Sequence, residues 1–247
     1  IYKREFNLFR YGVIVVTVIY LAFSFSHPDC YIARINLSNA YSEDGKLMTG
    51  ASPAAMVAMV EGMGADAIGV NCSLGPKQLR GVMLQLLENA SVPVILKPNA
   101  GLPQSVNGKT VFNVTAEDFA DEITDLVKKG VRVIGGCCGT TPEYIKALHT
   151  KTKNLTPQPI TEKNITVVSS YTHAVKFGEN PVLIGERINP TGKKRFKQAL
   201  IENDISYILA EGVNQQEKGV HILDVNVGLP DIDEQSMLKT AVCELQA

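Results

Sequence analysis

An α/β protein built on a parallel sheet is predicted for this 247-residue chain by three observations. Short, continuously apolar runs alternate with amphipathic stretches from Asp44 to His149, and strands apolar on both faces belong to parallel sheets covered by helices. The composition, 45% hydrophobic and 20% charged, supplies a sizeable core and excludes a disordered chain. Turn and cap residues punctuate the alternation at strand-to-helix spacing.

The elements follow in chain order. Tyr11 to Phe25 is a nearly unbroken apolar run, YGVIVVTVIYLAFSF, preceded by Lys3, Arg4 and Arg10. That shape is shared by a targeting leader and a buried strand. The run is shorter than the ~20 residues of a membrane span, and no small-residue cleavage pattern follows it. A buried strand, or a stretch foreign to the rest, is the expected reading, and residues 1–40 are left unassigned. Ser52-Pro53 opens a helix, serine as cap and proline in the first turn. Met56, Val57, Met59 and Val60 form its apolar positions, and Gly62 and Gly64 stop it. AIGVNC, from Ala67 to Cys72, reads as a strand. Gly75-Pro76 breaks the chain before a helix from Gln78 to Leu87, with Leu79, Val82, Met83, Leu86 and Leu87 on one face. PVILKPNAG supplies the next strand and turn. Thr115 and Asp118 have capping-box spacing for a third helix, ended by Gly130. RVIGGCCG, from Arg132 to Gly139, is a further strand, and Thr141-Pro142 opens a fourth helix reaching His149.

Beyond this, KTKNLTPQPITE (151–162) is polar with two prolines, a linker composition. VLIGERIN then reads as a strand, Phe196 to Leu200 and Asp204 to Gln216 as helices, and HILDVNVGLP as a second strand. Two architectures suit the rhythm. A (β/α)8 barrel takes about 31 residues per unit, so residues 44–150 would supply three to four units. A doubly wound open sheet fits as well, but no G-x-G-x-x-G turn follows a strand.

Charge removes several function classes. Lysine and arginine (24) nearly cancel aspartate and glutamate (25), for a formal charge of −1. Such a chain has no electrostatic footprint for nucleic acid or an anionic membrane. The five cysteines are too few for a disulfide scaffold and odd in number, which points to a reducing, cytoplasmic setting.

Three of those cysteines carry the chemistry. Cys72 closes one strand, and Cys137 and Cys138 close another with a single strand between. Parallel strands open their C-terminal ends on one face, so the three thiols can converge. Three thiolates with an open fourth position make a tetrahedral zinc site of catalytic kind, although copper(I) and iron–sulfur clusters use the same ligands. Cys72 alone reads as a small buried hydrophobe. The adjacent pair within Gly-Gly-Cys-Cys-Gly does not, because a glycine-lined turn is no packed core. Asn71 and Asn99 read equally as ligand-orienting groups or turn residues, and Lys97 as a rim residue.

The stretches TGASPAAMVAMVEGMGADAIGVNCSLGP, KPNAGLP and VIGGCCGTTPEYI resemble the homocysteine-binding barrel of the cobalamin-dependent methionine synthases. The resemblance implies that Cys72, Cys137 and Cys138 bind Zn2+, and that homocysteine sulfur becomes the fourth ligand. GERINPTG followed by LDVNVGLPD resembles the opening of the pterin-binding barrel that comes next in that family. On that resemblance Glu186, Asn189, Asp224 and Asn226 face 5-methyltetrahydrofolate, with Asp224 foremost, as a carboxylate inside an apolar strand needs donors.

The implied architecture is a partial (β/α)8 TIM barrel followed by the beginning of a second (β/α)8 barrel. Residues 41–150 would be the C-terminal part of the first, 151–178 a linker, and 179–247 the N-terminal part of the second. The implied activity is methyl transfer from 5-methyltetrahydrofolate, through methylcobalamin held by modules outside this chain, to zinc-bound homocysteine. The chain is expected to be inactive by itself, with neither nucleic acid nor membrane as partner. A cobalamin-independent homocysteine S-methyltransferase and a non-catalytic zinc-binding fragment are the alternatives.

Overall fold

Ser52 begins the regular structure where the sequence places it. Its side chain accepts a hydrogen bond from the Ala55 N–H at 3.2 Å, and α1 (Pro53–Gly62) follows with proline in its first turn. The computed structural model describes residues 15–19, 34–178 and 180–246, which form two compact units. The first comprises the chain to Asn164 with Thr172–Ala174, and the second Ile165–Tyr171 with the chain from Val175.

In the first unit β1 (Val15–Ile19), β2 (Arg34–Asn39), β3 (Ala67–Asn71), β4 (Val94–Lys97) and β7 (Val133–Ile134) form one sheet in that order. β2, β3, β4 and β7 are mutually parallel, and β1 runs antiparallel to β2. Lys3, Arg4, Arg10 and the rest of the N-terminal apolar run lie outside the described residues. α2 (Pro76–Asn89), α3 (Ala116–Lys128) and α4 (Pro142–Thr152) supply the other helices. Leu79, Met83 and Leu86 of α2 and Phe119, Ile123 and Leu126 of α3 are fully buried in one core with Ile68 and Leu96 from the sheet. Each such side chain contributes roughly 1.5–3 kcal/mol of transfer free energy. Arg80 on α2 pairs with Asp125 on α3 at 2.5 Å.

The parallel α/β expectation is met, while the described strands form an open sheet and no barrel closes among them. One boundary and one burial differ from the sequence reading. β7 stops at Ile134 rather than running to Gly139, because its neighbour β4 leads into Pro98, which has no N–H to extend the ladder. Met59, one of the apolar positions of α1, is 39% exposed. One element was not anticipated: β5 (Pro103–Val106) and β6 (Lys109–Phe112) make an antiparallel hairpin between β4 and α3.

β8 (Val167–Ser169) and β9 (Ala174–Lys176) form a two-stranded sheet within the stretch read as linker, whose first residues continue α4. The second unit has β10 (Ile184–Ile188) parallel to β11 (Ile222–Val225). α5 (Lys194–Ile201) and α6 (Ile205–Glu217) connect them, and α7 (Glu234–Gln246) follows without having been anticipated. Asp204 caps α6, its carboxylate accepting from the Tyr207 N–H at 3.1 Å. Ile188, Phe196, Ile208 and Ala241 form this unit's core. One parallel strand pair with three helices is a βα arrangement, not a second closed barrel. Among the described residues no helix is long and apolar enough to cross a membrane.

Candidate metal centre

The site begins with a backbone reversal. β3 ends at Asn71, and the next two residues, Cys72 (φ +64°) and Ser73 (φ +61°), both adopt the left-handed conformation. Non-glycine residues pay of order 1–3 kcal/mol each for this. Local bonds hold the turn: the Cys72 N–H donates to the Lys97 carbonyl at 2.9 Å, the Leu74 N–H to the Cys72 carbonyl at 2.9 Å, and the Ser73 hydroxyl to the Tyr41 carbonyl at 2.7 Å. A continued strand would carry the Cys72 side chain along the sheet; the reversal brings it to the neighbouring strand end.

Cys137 and Cys138 arrive there on the loop after β7. The Cys137 N–H donates to the Pro98 carbonyl at 2.8 Å, and the Cys138 carbonyl accepts from the Ala100 N–H at 2.9 Å, so this loop is stitched to the one after β4. Glycine is required at two places in it. A side chain at Gly136 would come within 2.5 Å of the Thr140 hydroxyl, and Gly139 has φ +80° with no room for a Cβ.

The three sulfurs gather as a result. Cys72 Sγ lies 3.7 Å from Cys138 Sγ, Cys137 Sγ 3.9 Å from Cys138 Sγ, and all three lie within 4.8 Å of one another. Tetrahedral zinc with Zn–S bonds of about 2.3 Å requires sulfurs about 3.8 Å apart. Cys138 therefore stands at coordination spacing from both other thiols, and none of the three is in a disulfide. Cys138 is exposed, which leaves a side open for a fourth ligand.

Electrostatics separates two of the thiols. Burial and the neighbouring thiols push Cys137 up to about 11. Burial opposes ionisation of Cys72 too, but hydrogen bonds from the Ser73 backbone, the other two thiols and the Asn99 side chain outweigh it and hold Cys72 below the ordinary thiol range. Asn99 is the residue that sequence reasoning left undecided. It is 4% exposed, its Oδ1 accepts from the Cys138 N–H at 3.1 Å, its N–H donates to the Leu74 carbonyl at 3.0 Å, and its side chain helps lower the Cys72 thiol. It thus ties both cysteine segments to the β4 loop. Asn71, in register with Lys97 at the end of β3, has no comparable part.

The four residues compared with a pterin site lie in the second unit. Glu186 on β10 accepts from the Asn189 amide and pairs with Lys193 at 3.4 Å. The Asn189 Oδ1 accepts from the Thr191 N–H at 2.8 Å. On and after β11, Asp224 and Asn226 are exposed, and the Asn226 Oδ1 accepts from the Gly228 N–H at 2.8 Å. The Asp224 carboxylate is therefore solvated, which removes the desolvation argument made for it from the sequence. Asn226 reaches β10 through its N–H, which donates to the Ile188 carbonyl at 2.9 Å.

The chain is similar to known proteins. The methionine synthase of Mycobacterium leprae is 33% identical over 191 residues, 74% of this chain and 16% of that protein. The methionine synthase of Mycobacterium tuberculosis is 31% identical over 205 residues, 81% of this chain and 17% of that protein. The chain thus spans less than a fifth of the length of these relatives. The crystal structure of the homocysteine methyltransferase MmuM from Escherichia coli, in its metallated form, is 26% identical, with a TM-score of 0.40 over 49% of this chain and 36% of that one. Residues 19–152 match the sequence profile of the homocysteine S-methyltransferase family. That span is more than half of the chain and contains all three cysteines, and the chain belongs to the homocysteine S-methyltransferase family.

Proposed function

We propose that the chain carries the metal-binding part of a homocysteine methyl-transfer site of methionine synthase type. Cys72, Cys137 and Cys138 would hold Zn2+, with homocysteine sulfur in the open fourth position. The observation that carries this reading is the gathering of three sulfurs, from segments 65 residues apart, within 4.8 Å of one another, two of the distances matching those of a zinc site. The metal, when bound, lowers the pKa of a coordinated thiol so that it is held as a thiolate at neutral pH. The protein's own groups supply the rest. Asn99 orients Cys72 and Cys138, and the Cys72 reversal presents its sulfur at the strand ends. The transfer forms a carbon–sulfur bond and breaks the bond between the methyl group and its donor, and the substrate's thiol proton is lost.

Similarity to the mycobacterial methionine synthases extends over 205 residues, well beyond the 19–152 profile match. This favours methionine synthase over a homocysteine methyltransferase without a pterin module. On this reading residues 41–150 belong to the first (β/α)8 barrel, 151–178 to a linker and 179–247 to the start of a pterin-binding barrel. Glu186, Asn189, Asp224 and Asn226 would meet 5-methyltetrahydrofolate, and methylcobalamin would be bound by modules outside this chain. Free thiols suit a cytoplasmic setting.

Two measurements test the reading. Titrating the cobalt(II)-loaded chain with L-homocysteine is expected to strengthen the sulfur-to-cobalt charge-transfer absorption as a fourth sulfur joins, whereas methionine leaves the spectrum unchanged. A spectrum indifferent to homocysteine would leave a non-catalytic metal-binding fragment as the better description. For the pterin part, Asp224→Asn is expected to weaken 5-methyltetrahydrofolate binding roughly tenfold or more, because a charged acceptor for ring N–H donors is lost. Equal affinity by calorimetry would remove Asp224 from the site.

A further inference from the structure

The hairpin β5–β6 stands beside the metal centre with no part in it so far. All of β5 is exposed, as is β6 apart from Phe112. The tip is Asn107-Gly108, both at positive φ (+51° and +74°), a primed turn suited to a tight hairpin. Phe112 is the hairpin's half-buried side chain, and its ring packs against Gly139. A Cβ at position 139 would stand 2.3 Å from Phe112 Cγ and Cδ2.

Gly139 directly follows Cys138, whose thiol is exposed and so is aimed by its backbone rather than by packing. The Cys138 N–H is held by the Asn99 side chain and the Cys138 carbonyl by the Ala100 N–H. On the C-terminal side the chain passes through a glycine at φ +80°; the Thr140 N–H and hydroxyl close that turn on the Cys137 carbonyl at 3.2 and 2.7 Å, and the Phe112 ring packs against the glycine. The base of the hairpin is rigid: the Val114 N–H donates to the Ala100 carbonyl at 3.1 Å, and the Tyr144 hydroxyl to the Val114 carbonyl at 2.6 Å. A closed circuit therefore runs from Cys138 through Ala100 and Val114 to Phe112 and back to Gly139.

We propose that Phe112 is a positioning residue for the three-thiol metal site: its ring, packed against Gly139, braces the hydrogen-bonded turn that directs the Cys138 sulfur toward Cys72 and Cys137. This rests on the metal-site reading above. The test uses the full chain with cobalt(II) as the probe, and reads affinity, visible spectrum and thermal unfolding together. Phe112→Ala is expected to weaken cobalt(II) roughly tenfold, the range for residues that orient metal ligands, and to lower the intensity of the tetrahedral ligand-field bands. Phe112→Tyr keeps the ring and is expected to retain both, and Val111→Ala, on the exposed side of the same hairpin, changes neither. Wild-type affinity and spectrum in a folded Phe112→Ala chain overturn the proposal, as does a Phe112→Tyr chain that behaves like Phe112→Ala. If Phe112→Ala does not fold, Phe112→Leu decides: weakened binding with altered bands supports the ring's role, and an unchanged spectrum overturns it. A wild-type chain that binds no cobalt(II) overturns the metal-site reading and this proposal together. One that binds it with Phe112 dispensable overturns this proposal alone.

Discussion

A Cys137→Ser, Cys138→Ser chain is expected to purify with background zinc where the unsubstituted chain carries stoichiometric metal. The hydroxyl of serine stays protonated near neutral pH and is a hard, weak ligand where thiolate is soft and strong. Structural zinc sites bind with about 10–16 kcal/mol, so each of three thiolates accounts for about 4 kcal/mol. Losing even Cys138 alone is then worth on the order of a thousandfold in affinity. Metal analysis after gel filtration, with a chromophoric chelator as competitor, measures this, and equal zinc contents in the two chains would abolish the site. Acidity has a definite sign here. The Cys137 thiol, pushed up to about 11, is protonated in the metal-free chain at neutral pH, and coordination must expel that proton. Apparent affinity therefore strengthens as pH rises toward that value and weakens on acidification, by up to about 1.4 kcal/mol per pH unit for each proton released.

The second large effect is expected at Asn99. Leucine there fills a similar volume but accepts no hydrogen bond, leaving the Cys138 N–H without the partner it now has at 3.1 Å. A buried unsatisfied donor costs about 1–3 kcal/mol, to be read as a lowered midpoint of thermal unfolding. The variant also loses the amide whose influence helps keep the Cys72 thiol below its ordinary range, and zinc affinity is expected to fall about 10- to 100-fold. Competition titration on the folded variant separates the two losses. Affinity within about twofold of the unsubstituted chain would show that the backbone alone gathers the thiols, against the larger loss usual for a ligand-orienting residue.

The helices were legible because their signals are local. Ser52 caps α1 and Thr115 caps α3 through bonds reaching three residues along the chain, and Thr141-Pro142 starts α4 for an equally short-range reason. The end of β7 was not legible. Its apolar run continues into Gly-Gly-Cys-Cys, and what terminates the pairing is Pro98 on another strand. The β5–β6 hairpin had a signal, Asn107-Gly108, but its exposed strands lack the apolar alternation that would have made the turn persuasive. Asn99 had no signal distinguishing it from an ordinary turn asparagine.

By itself the sequence determined the parallel α/β rhythm, which follows from residue type and short-range spacing, and it singled out Cys72, Cys137 and Cys138 at strand ends as candidate ligands. Only the tertiary structure decided that Cys72 reverses into the left-handed conformation, that Asn99 bridges both cysteine loops and that Phe112 packs against Gly139. Each of those depends on the register of β3, β4 and β7, and register is settled by pairing between segments far apart in the chain, which no local pattern encodes.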